Sequence, residues 1–359
     1  MSVLSLARPE IVALQPYASA RVEADGGEVM LNANELPWLP PGATPDPRSP
    51  SLNRYPDPQP RILVERLAGL YAVDDSQILV GRGSDEAIDL LVRAFCRPGR
   101  DAVAICPPTF GMYAISAAVQ GASVVELPLD DAFALDATAL VARLPASVKI
   151  VFLCSPNNPT GGLVAIEDIE YVVTALSRRA LVVVDEAYIE FADAPSAAGL
   201  LRRHPNLCVL RTLSKAWGLA GARVGCLLAA AEIVALLRRI MPPYPLPTPS
   251  IVAALAALTA DGLALTTQRA ALVVSERERM AAELARLPHV DRVLPSRANF
   301  LCVGFDESTR VQRDLLAAGV VVRDVGRHPG LAGFLRISIG RREENARLLE
   351  LLIRREYGT

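Results

Sequence analysis

The 359-residue sequence predicts an α/β fold with a large, mostly parallel sheet domain and a smaller α+β domain. Six short apolar runs alternate with helical patterns, which is typical of parallel strands buried on both faces. The length exceeds that of most single domains, and the proline-rich segment 241–250 indicates a boundary. We therefore predict an N-terminal arm (1–40) packed with the small domain, a large domain (41–245) and a small domain (246–359).

The elements of the large domain follow in chain order. Residues 26–60 are rich in proline and predict an irregular segment, after which RILVERLAGLYA predicts a helix and QILVG a short strand. SDEAIDLLVRAFC predicts a helix with Ser84 as N-cap and acidic residues in its first turn. The apolar runs predict strands at 102–106, 123–127, 149–154, 180–185, 207–211 and 224–229. Beyond residue 250 we expect a long Ala/Leu-rich helix, strands near 300–304 and 334–339, and a closing helix.

Composition excludes several classes of function. The net charge of −2 gives no electrostatic footprint for nucleic acid, and no Lys/Arg run suits a membrane surface. Prolines interrupt both long uncharged runs, 102–125 and 240–260, and the N-terminus lacks the apolar segment of a signal peptide. We therefore expect a protein with neither a membrane span nor a nucleic-acid partner.

Cysteine and histidine usage favours a cytoplasmic protein without a metal site. The six cysteines form no CxxC pair and have mostly apolar neighbours, so we expect buried, reduced thiols. The three histidines show no metal-ligand spacing, which argues against a zinc enzyme. His204 and His328 are interpreted as loop residues rather than catalytic bases.

Four predicted strands end in polar segments. GRGSDE follows QILV, SPNNPTG follows KIVFLC, DEAY follows ALVVV, and TLSK follows LCVLR. Ligands of open α/β sheets collect at the carboxyl ends of the strands, so these segments are expected to converge.

One part of this edge is suited to an anion. Gly83 lets the backbone approach closely, and free N–H groups at Ser84 and Asp85 point outwards from a helix start. Such a turn is more often a plain strand-to-helix connection, but hydroxyls and a guanidinium follow in the same region. The predicted phosphate cup consists of Gly83, Ser84, Asp85, Thr212, Ser214 and Arg223.

Asp185 ends a strongly apolar strand, where a carboxylate is costly unless it has a partner. It is either a helix cap or ion-pair residue, or an acceptor for a protonated ring nitrogen. Tyr188 could offer its phenol to the same ligand. Asn157 belongs either to a simple turn or to the ligand's hydrogen-bond partners.

Lys215 lies in the apolar stretch TLSKAWGLAGARVG, with Arg223 as the next positive charge. A dry site lowers the pKa of a lysine and makes its neutral amine available for a Schiff base. A phosphate cup, a ring-nitrogen acceptor and a nucleophilic lysine are together the parts of a pyridoxal phosphate site, so this cofactor is expected.

The ordered motifs SPNNPTG, DEAY and SKAWGLAGARVG resemble fold-type I pyridoxal phosphate enzymes of the aspartate aminotransferase superfamily. Further segments resemble the histidinol-phosphate aminotransferase family through nearly the whole chain: LNANELPW, YPDPQP, CPPTFGMY, and VVVRD followed by FLRISIGRREEN. The resemblance implies a fold-type I enzyme that transaminates histidinol phosphate with 2-oxoglutarate.

The resemblance also implies a role for each cofactor residue. Lys215 carries the cofactor and later moves the substrate proton, while Asp185 keeps the ring nitrogen protonated. Asn157 and Tyr188 bond the ring hydroxyl, and Phe110 stacks on the ring where the family often has tyrosine. Tyr55 reaches the phosphate in the other subunit, which implies a homodimer with shared sites.

For the substrate, the resemblance implies Arg336, which would take glutamate's carboxylate in one half-reaction and the substrate phosphate in the other. Arg323, Tyr17 and Asn34 are further candidates. Three rival functions remain open at this point: an aromatic amino acid aminotransferase, a threonine-phosphate decarboxylase, and a cofactor-binding regulator without turnover. The regulator is disfavoured because the sequence has no basic DNA-binding extension.

Overall fold

The computed structural model describes residues 2–15, 31–42 and 51–357. Its centre is a seven-stranded sheet with strands β1 Ile78–Gly81, β2 Ala102–Ile105, β3 Ser123–Glu126, β4 Val148–Cys154, β5 Leu181–Asp185, β6 Leu207–Thr212 and β7 Gly225–Ala229. The spatial order is β1-β7-β6-β5-β4-β2-β3. All neighbours pair in parallel except β7, which is antiparallel to both β1 and β6. The predicted α/β class with a mostly parallel sheet is confirmed.

Apart from the edge strand β3, the strands of the large sheet are buried on both faces, which explains their continuous apolar runs. Along β4, Val151 and Leu153 face one core, while Ile150 and Phe152 face the other. Successive residues of a strand point to opposite faces of the sheet, so each strand contributes to both cores. The large domain therefore has three layers, with the sheet between two layers of helices.

Helices cover both faces of this sheet. The described α-helices are α1 Pro9–Val12, α2 Arg61–Tyr71, α3 Ser84–Phe95, α4 Met112–Gln120, α5 Ala137–Arg143, α6 Ile166–Ala175, α7 Ala231–Arg238, α8 Thr248–Ala257, α9 Ala260–Leu284, α10 Ser308–Ala317 and α11 Arg342–Tyr357. Apolar residues of α2, α5, α6 and α8 belong to one core, and those of α3, α4 and α7 belong to the other.

A second, four-stranded sheet forms after α9. Its strands are β8 Val290–Val293, β9 Phe300–Phe305, β10 Arg323–Asp324 and β11 Phe334–Ser338, in the order β10-β11-β9-β8 and all antiparallel. Helices α9, α10 and α11 cover one face and enclose a separate core that includes Met280, Leu335 and Leu352. This is the smaller α+β unit expected from the sequence.

Three sequence-based details differ from the structure. Val3 and Leu6 pack in the large-domain core, and the N–H of Arg8 donates to the carbonyl of Ala94 at 2.9 Å, so residues 2–15 of the predicted arm lie on the large domain. Apolar residues of α8 (Ile251, Ala254) pack in the large-domain core, so this packing continues past the predicted boundary at residue 245.

The third detail is the start of α3. Its N-cap is Gly83, with φ of 84°, and Ser84 is the first helical residue rather than the predicted cap. A glycine suits this backbone conformation because side chains disfavour positive φ. The difference leaves the Ser84 N–H and hydroxyl at the open end of the helix.

All six cysteines are buried and unpaired, as predicted. Within the described ranges, no single helix has the length and apolar character to cross a membrane, although α8 and α9, bent by 75°, meet that criterion as a pair.

Candidate active site

Most of the predicted site residues converge on one cavity of about 640 Å³ at the carboxyl edge of the large sheet, facing the small sheet. Residues that follow β4, β5 and β6 line one side, the start of α3 and the approach to β7 line another, and β10 and β11 close it. Eleven residues predicted from the sequence lie in its wall: Ser84, Asp85, Phe110, Asp185, Tyr188, Thr212, Ser214, Lys215, Arg223, Arg323 and Arg336.

Two glycines form a tight cradle at one end of this cavity. A Cβ on Gly225 would lie 2.7 Å from the carbonyl carbon of Gly83 and 2.8 Å from the Ser84 nitrogen. A Cβ on Gly83 would lie 2.8 Å from a guanidinium nitrogen of Arg223. Gly225 meets backbone that cannot move cheaply, and Gly83 has a φ of 84° that favours glycine, so the backbone of β7 approaches the start of α3 closely enough to concentrate donors there.

The donors around this cradle suit a phosphate group. Arg223 has φ of 55°, a strained conformation for a long side chain, and its guanidinium is 3.1 Å from Asp85 and 3.4 Å from the hydroxyl of Ser214. The N–H of Ser214 donates to the Thr212 hydroxyl at 3.1 Å. Hydroxyls, the free N–H groups of a helix start and a guanidinium are the groups that bind phosphate in proteins.

Asp185 ends β5 in the cavity floor and is only 3% exposed. The Tyr113 phenol donates to its Oδ2 at 2.8 Å, and the Ala187 N–H donates to its Oδ1 at 3.1 Å. Burial raises the pKa of Asp185 to about 6, while these two hydrogen bonds oppose the rise. A buried carboxylate facing a cavity is suited to pair with a positive group of a ligand.

Tyr188 and Lys215 lie side by side near this carboxylate. The Nζ atom of Lys215 lies 5.5 Å from the centre of the Tyr188 ring, and that ring packs edge-on against Phe300. Desolvation lowers the pKa of Lys215, and the Arg336 guanidinium lowers it further. The sequence also predicts a lowered pKa for Lys215, but Arg336 lowers this pKa more than Arg223 does. A lowered pKa favours the neutral, nucleophilic amine.

Asn157 does not reach the cavity, contrary to the sequence-based expectation. Its amide nitrogen donates to the Pro108 carbonyl and the Thr160 hydroxyl, each at 2.8 Å, and its Oδ1 accepts from Thr109 at 2.9 Å. All its side-chain hydrogen bonds therefore hold the loop. The next residue, Asn158, lines the cavity and lies 3.4 Å from the Tyr188 hydroxyl, so the proposed contact with a ring hydroxyl moves to Asn158.

Two arginines lie directly opposite each other on adjacent strands of the small sheet. Arg323 of β10 pairs in register with Arg336 of β11, and Arg336 also donates to Oδ1 of Asn158. Neither guanidinium forms an ion pair with an acidic side chain in the described part of the chain. Like charges opposite each other on a sheet destabilise it, so this pair is suited to an anion that neutralises both.

Two further predicted site residues, Tyr55 and Asn34, lie away from this cavity. Tyr55 stacks on Tyr244 with ring centres 4.4 Å apart, and Asn34 lies beside Tyr55 in a separate cavity of about 360 Å³. Tyr17 lies outside the described residues.

Sequence reasoning missed several residues of the cavity. Tyr113 holds Asp185, and Arg327 and His328 lie in the wall beside Arg323. Tyr113 occurs in an apolar helix, where an aromatic residue indicates core packing. The sequence indicates only a loop position for His328, and it gives no signal that the residue lines the cavity. The run of charges in RDVGRH is the signal that could have identified Arg327.

The sequence matches known transferases over most of its length. Residues 29–352 match the family model for class I and II aminotransferases. The histidinol-phosphate aminotransferase of Xanthomonas euvesicatoria is 54% identical over 357 residues, covering 98% of this chain and 97% of that relative.

The fold is likewise similar to solved structures. Histidinol-phosphate aminotransferase from Clostridium acetobutylicum is 26% identical with a TM-score of 0.78, covering 85% of this chain and 91% of that one. The enzyme of the same name from Sinorhizobium meliloti, solved with pyridoxal-5'-phosphate, is 27% identical with a TM-score of 0.74, covering 86% of this chain and 84% of that one.

The glycine cradle generates a first prediction. Gly225→Ala places a Cβ against the backbone of Gly83 and Ser84, so the cradle must widen and its donors must separate. We expect about 10-fold or greater weakening of pyridoxal phosphate binding, from a strain of about 1–3 kcal/mol. Cofactor retained after dilution, followed by absorbance, measures this change. Gly221→Ala is the matched control, because no atom outside its chain neighbours lies within 4 Å of its added Cβ. Equal retention by both variants would show that the cradle does not hold the phosphate.

Proposed function

The chain belongs to the class I and II aminotransferase family, and we propose that it transfers the amino group of L-histidinol phosphate to 2-oxoglutarate. The products are imidazole-acetol phosphate and L-glutamate, and the reaction serves histidine biosynthesis. The relative at 54% identity over nearly the full chain supports this substrate pair.

The charges of the cavity support a reaction with two phosphorylated molecules. Five cationic residues line it and only two acidic residues, Asp85 and Asp185, oppose them among the described residues. The cations lie at two ends, with Arg223 beside the glycine cradle and the arginines of β10 and β11 on the small sheet. A cofactor phosphate at one end and a substrate phosphate at the other neutralise this excess. This arrangement of charges is the observation that carries the proposal.

The enzyme uses pyridoxal phosphate, and the donor set of the cavity fits it. Ser84, Thr212, Ser214 and Arg223 would hold the phosphate. Asp185 would face the ring nitrogen, Asn158 and Tyr188 the ring hydroxyl, and Phe110 the ring face. When bound, the cofactor supplies a conjugated ring that withdraws electrons from the substrate Cα.

The chain's own residues move the proton and orient the substrate. The pKa of Lys215 is lowered, mainly by desolvation, so its neutral amine would take the proton from the substrate Cα and deliver it to the cofactor carbon C4′. Arg336, held by Asn158 and by the Phe300 ring 5.4 Å away, would bind glutamate's carboxylate and, in the other half-reaction, the substrate phosphate. Arg323 would add a second guanidinium to the phosphate.

We also propose a cytoplasmic homodimer with shared sites. Leu31, Leu36, Trp38, Leu52 and Tyr55 are all exposed, with Leu31 at 88% and Trp38 at 70%. So many large apolar side chains on one irregular segment are suited to cover by a second copy. Tyr55 and Asn34 would then belong to the partner's site. Six unpaired thiols support a reducing compartment.

A half-reaction tests the substrate. Mixing the pyridoxal phosphate form with histidinol phosphate, phenylalanine or threonine phosphate should convert the cofactor to its amine form fastest with histidinol phosphate. Absorbance follows this conversion. Preference for phenylalanine would reassign the chain to aromatic amino acids, and release of carbon dioxide from threonine phosphate would reassign it to decarboxylation.

The substitution Arg323→Met tests whether Arg323 binds the substrate phosphate but not the carboxylate of glutamate. We expect the KM for histidinol phosphate to rise about 30-fold or more, because a charge-assisted contact with the phosphate is lost. The KM for glutamate should change much less. Arg313→Met removes a largely exposed guanidinium on α10 and is the control. Equal losses for both substrates would assign Arg323 a structural role.

Hybrid dimers test the shared site. Lys215→Ala and Tyr55→Ala each impair the enzyme, but a hybrid of the two has one site with both native residues. Random pairing makes about half of the dimers hybrid, so reassociated mixtures should recover activity towards about a quarter of the native rate. No recovery would place Tyr55 in its own subunit's site.

A further inference from the structure

The buried tyrosine Tyr113 has no role in the reaction described so far, yet its hydroxyl donates to the carboxylate in the cavity floor. We propose that Tyr113 is a positioning residue that keeps Asp185 ionised and oriented, so that the proton shared with the cofactor stays on the ring nitrogen. The inference rests on the proposed cofactor-dependent function.

Tyr113 is held in a single orientation. Its side chain is fully buried, Phe152 of β4 stacks on its ring at 4.6 Å with an interplanar angle of 4°, and Phe110 packs edge-on at 5.5 Å. The phenol therefore cannot turn away from Asp185. Phe110 lies in the loop two residues before α4 begins, and Tyr113 lies in its first turn, so this loop-to-helix junction supplies both the side chain proposed to face the ring and the support for the carboxylate.

The carboxylate has few other stabilising contacts. The groups that face it come from every neighbouring element: Tyr113 of α4, Cys154 of β4, Lys215 after β6, Asp85 of α3, and Ala187 and Tyr188 of its own loop. Among the residues that the structure describes, only Tyr113 and Ala187 donate hydrogen bonds to it. The Ala187 N–H belongs to the backbone, so Tyr113 is the one side chain that donates to Asp185 in the described chain.

The phenol remains a donor over the whole working range. Burial, followed by the Asp185 charge, raises the pKa of Tyr113 well above its ordinary value. Burial also raises the pKa of Asp185, and the Tyr113 hydrogen bond is the largest effect that opposes this rise. Loss of that bond makes Asp185 more basic, so the shared proton moves from the ring nitrogen towards a carboxylate oxygen. A neutral ring nitrogen withdraws electrons less well.

Tyr113→Phe in the holoenzyme tests this inference, since it removes one oxygen and keeps both ring contacts. With ¹⁵N-labelled pyridoxal phosphate, the ring-nitrogen signal should lie at the protonated position in the native enzyme and shift towards the unprotonated position in the variant. We expect kcat to fall about 10-fold or more, as for a hydrogen bond to a charged group, with KM changed less than threefold. A structural role alone would leave the nitrogen signal in place.

Tyr71→Phe is the matched control, because it removes another buried phenol oxygen, at a position outside this cavity. Its nitrogen signal should equal that of the native enzyme. An unshifted signal in Tyr113→Phe overturns the inference, as does an equal shift in the control. Uptake of pyridoxal phosphate by the native chain is measured first, because failure there would reject the proposed function itself.

If Tyr113→Phe does not fold, 3-fluorotyrosine at position 113 gives a second measurement. The fluorinated phenol is a stronger donor, so it lowers the basicity of Asp185. A less basic Asp185 stays ionised to a lower pH. When the pH is lowered, the variant should therefore lose its cofactor at a lower pH than the native enzyme does. The cofactor's own phosphate titrates equally in both proteins, so the difference reports Asp185. An unchanged midpoint contradicts the inference.

Discussion

The reversed direction of β7 is the constraint on which the cofactor end of the cavity depends. Six strands of the large sheet end at one edge, and β7 begins there. Arg223, two residues before β7, is therefore brought to the edge where β1 ends and α3 begins. The contact between Gly225 and Gly83 sets the separation of these segments. A parallel β7 would carry Arg223 to the opposite edge and leave the helix start without its guanidinium.

Unbalanced charge is the second constraint, and it links the two ends of the cavity. Arg336 and Arg223 both lower the pKa of Lys215, while Asp185 and Asp85 raise it. An anion bound at Arg336 offsets the positive charge of that guanidinium. Substrate binding therefore raises the pKa of Lys215 relative to the ligand-free protein. The lysine thus responds to the presence of the substrate through charge alone.

The sequence predicted those features that a local pattern encodes. Continuous apolar runs identified the buried strands, and Asp185 and Lys215 were identified because each polar group interrupts apolar surroundings. The pattern could not choose between Asn157 and Asn158, because adjacent residues of a turn differ only in where their amides point. That choice is made by Thr109, Pro108 and Thr160, which bind the first amide. Tyr113 was missed for a related reason, since its partner is 72 residues away in the chain.

The burial of Asp185 shows how the fold and the chemistry depend on each other. A carboxylate at the end of a buried strand destabilises the ligand-free protein, because desolvation favours its neutral form. The same desolvation strengthens its attraction for a positive ring nitrogen, since water does not screen the pair. Without its two hydrogen bonds Asp185 would become protonated and could not keep the proton on the ring nitrogen. Full solvation, in contrast, would weaken the attraction between Asp185 and the ring nitrogen. Two hydrogen bonds to a carboxylate that is otherwise desolvated give the intermediate basicity that the reaction requires.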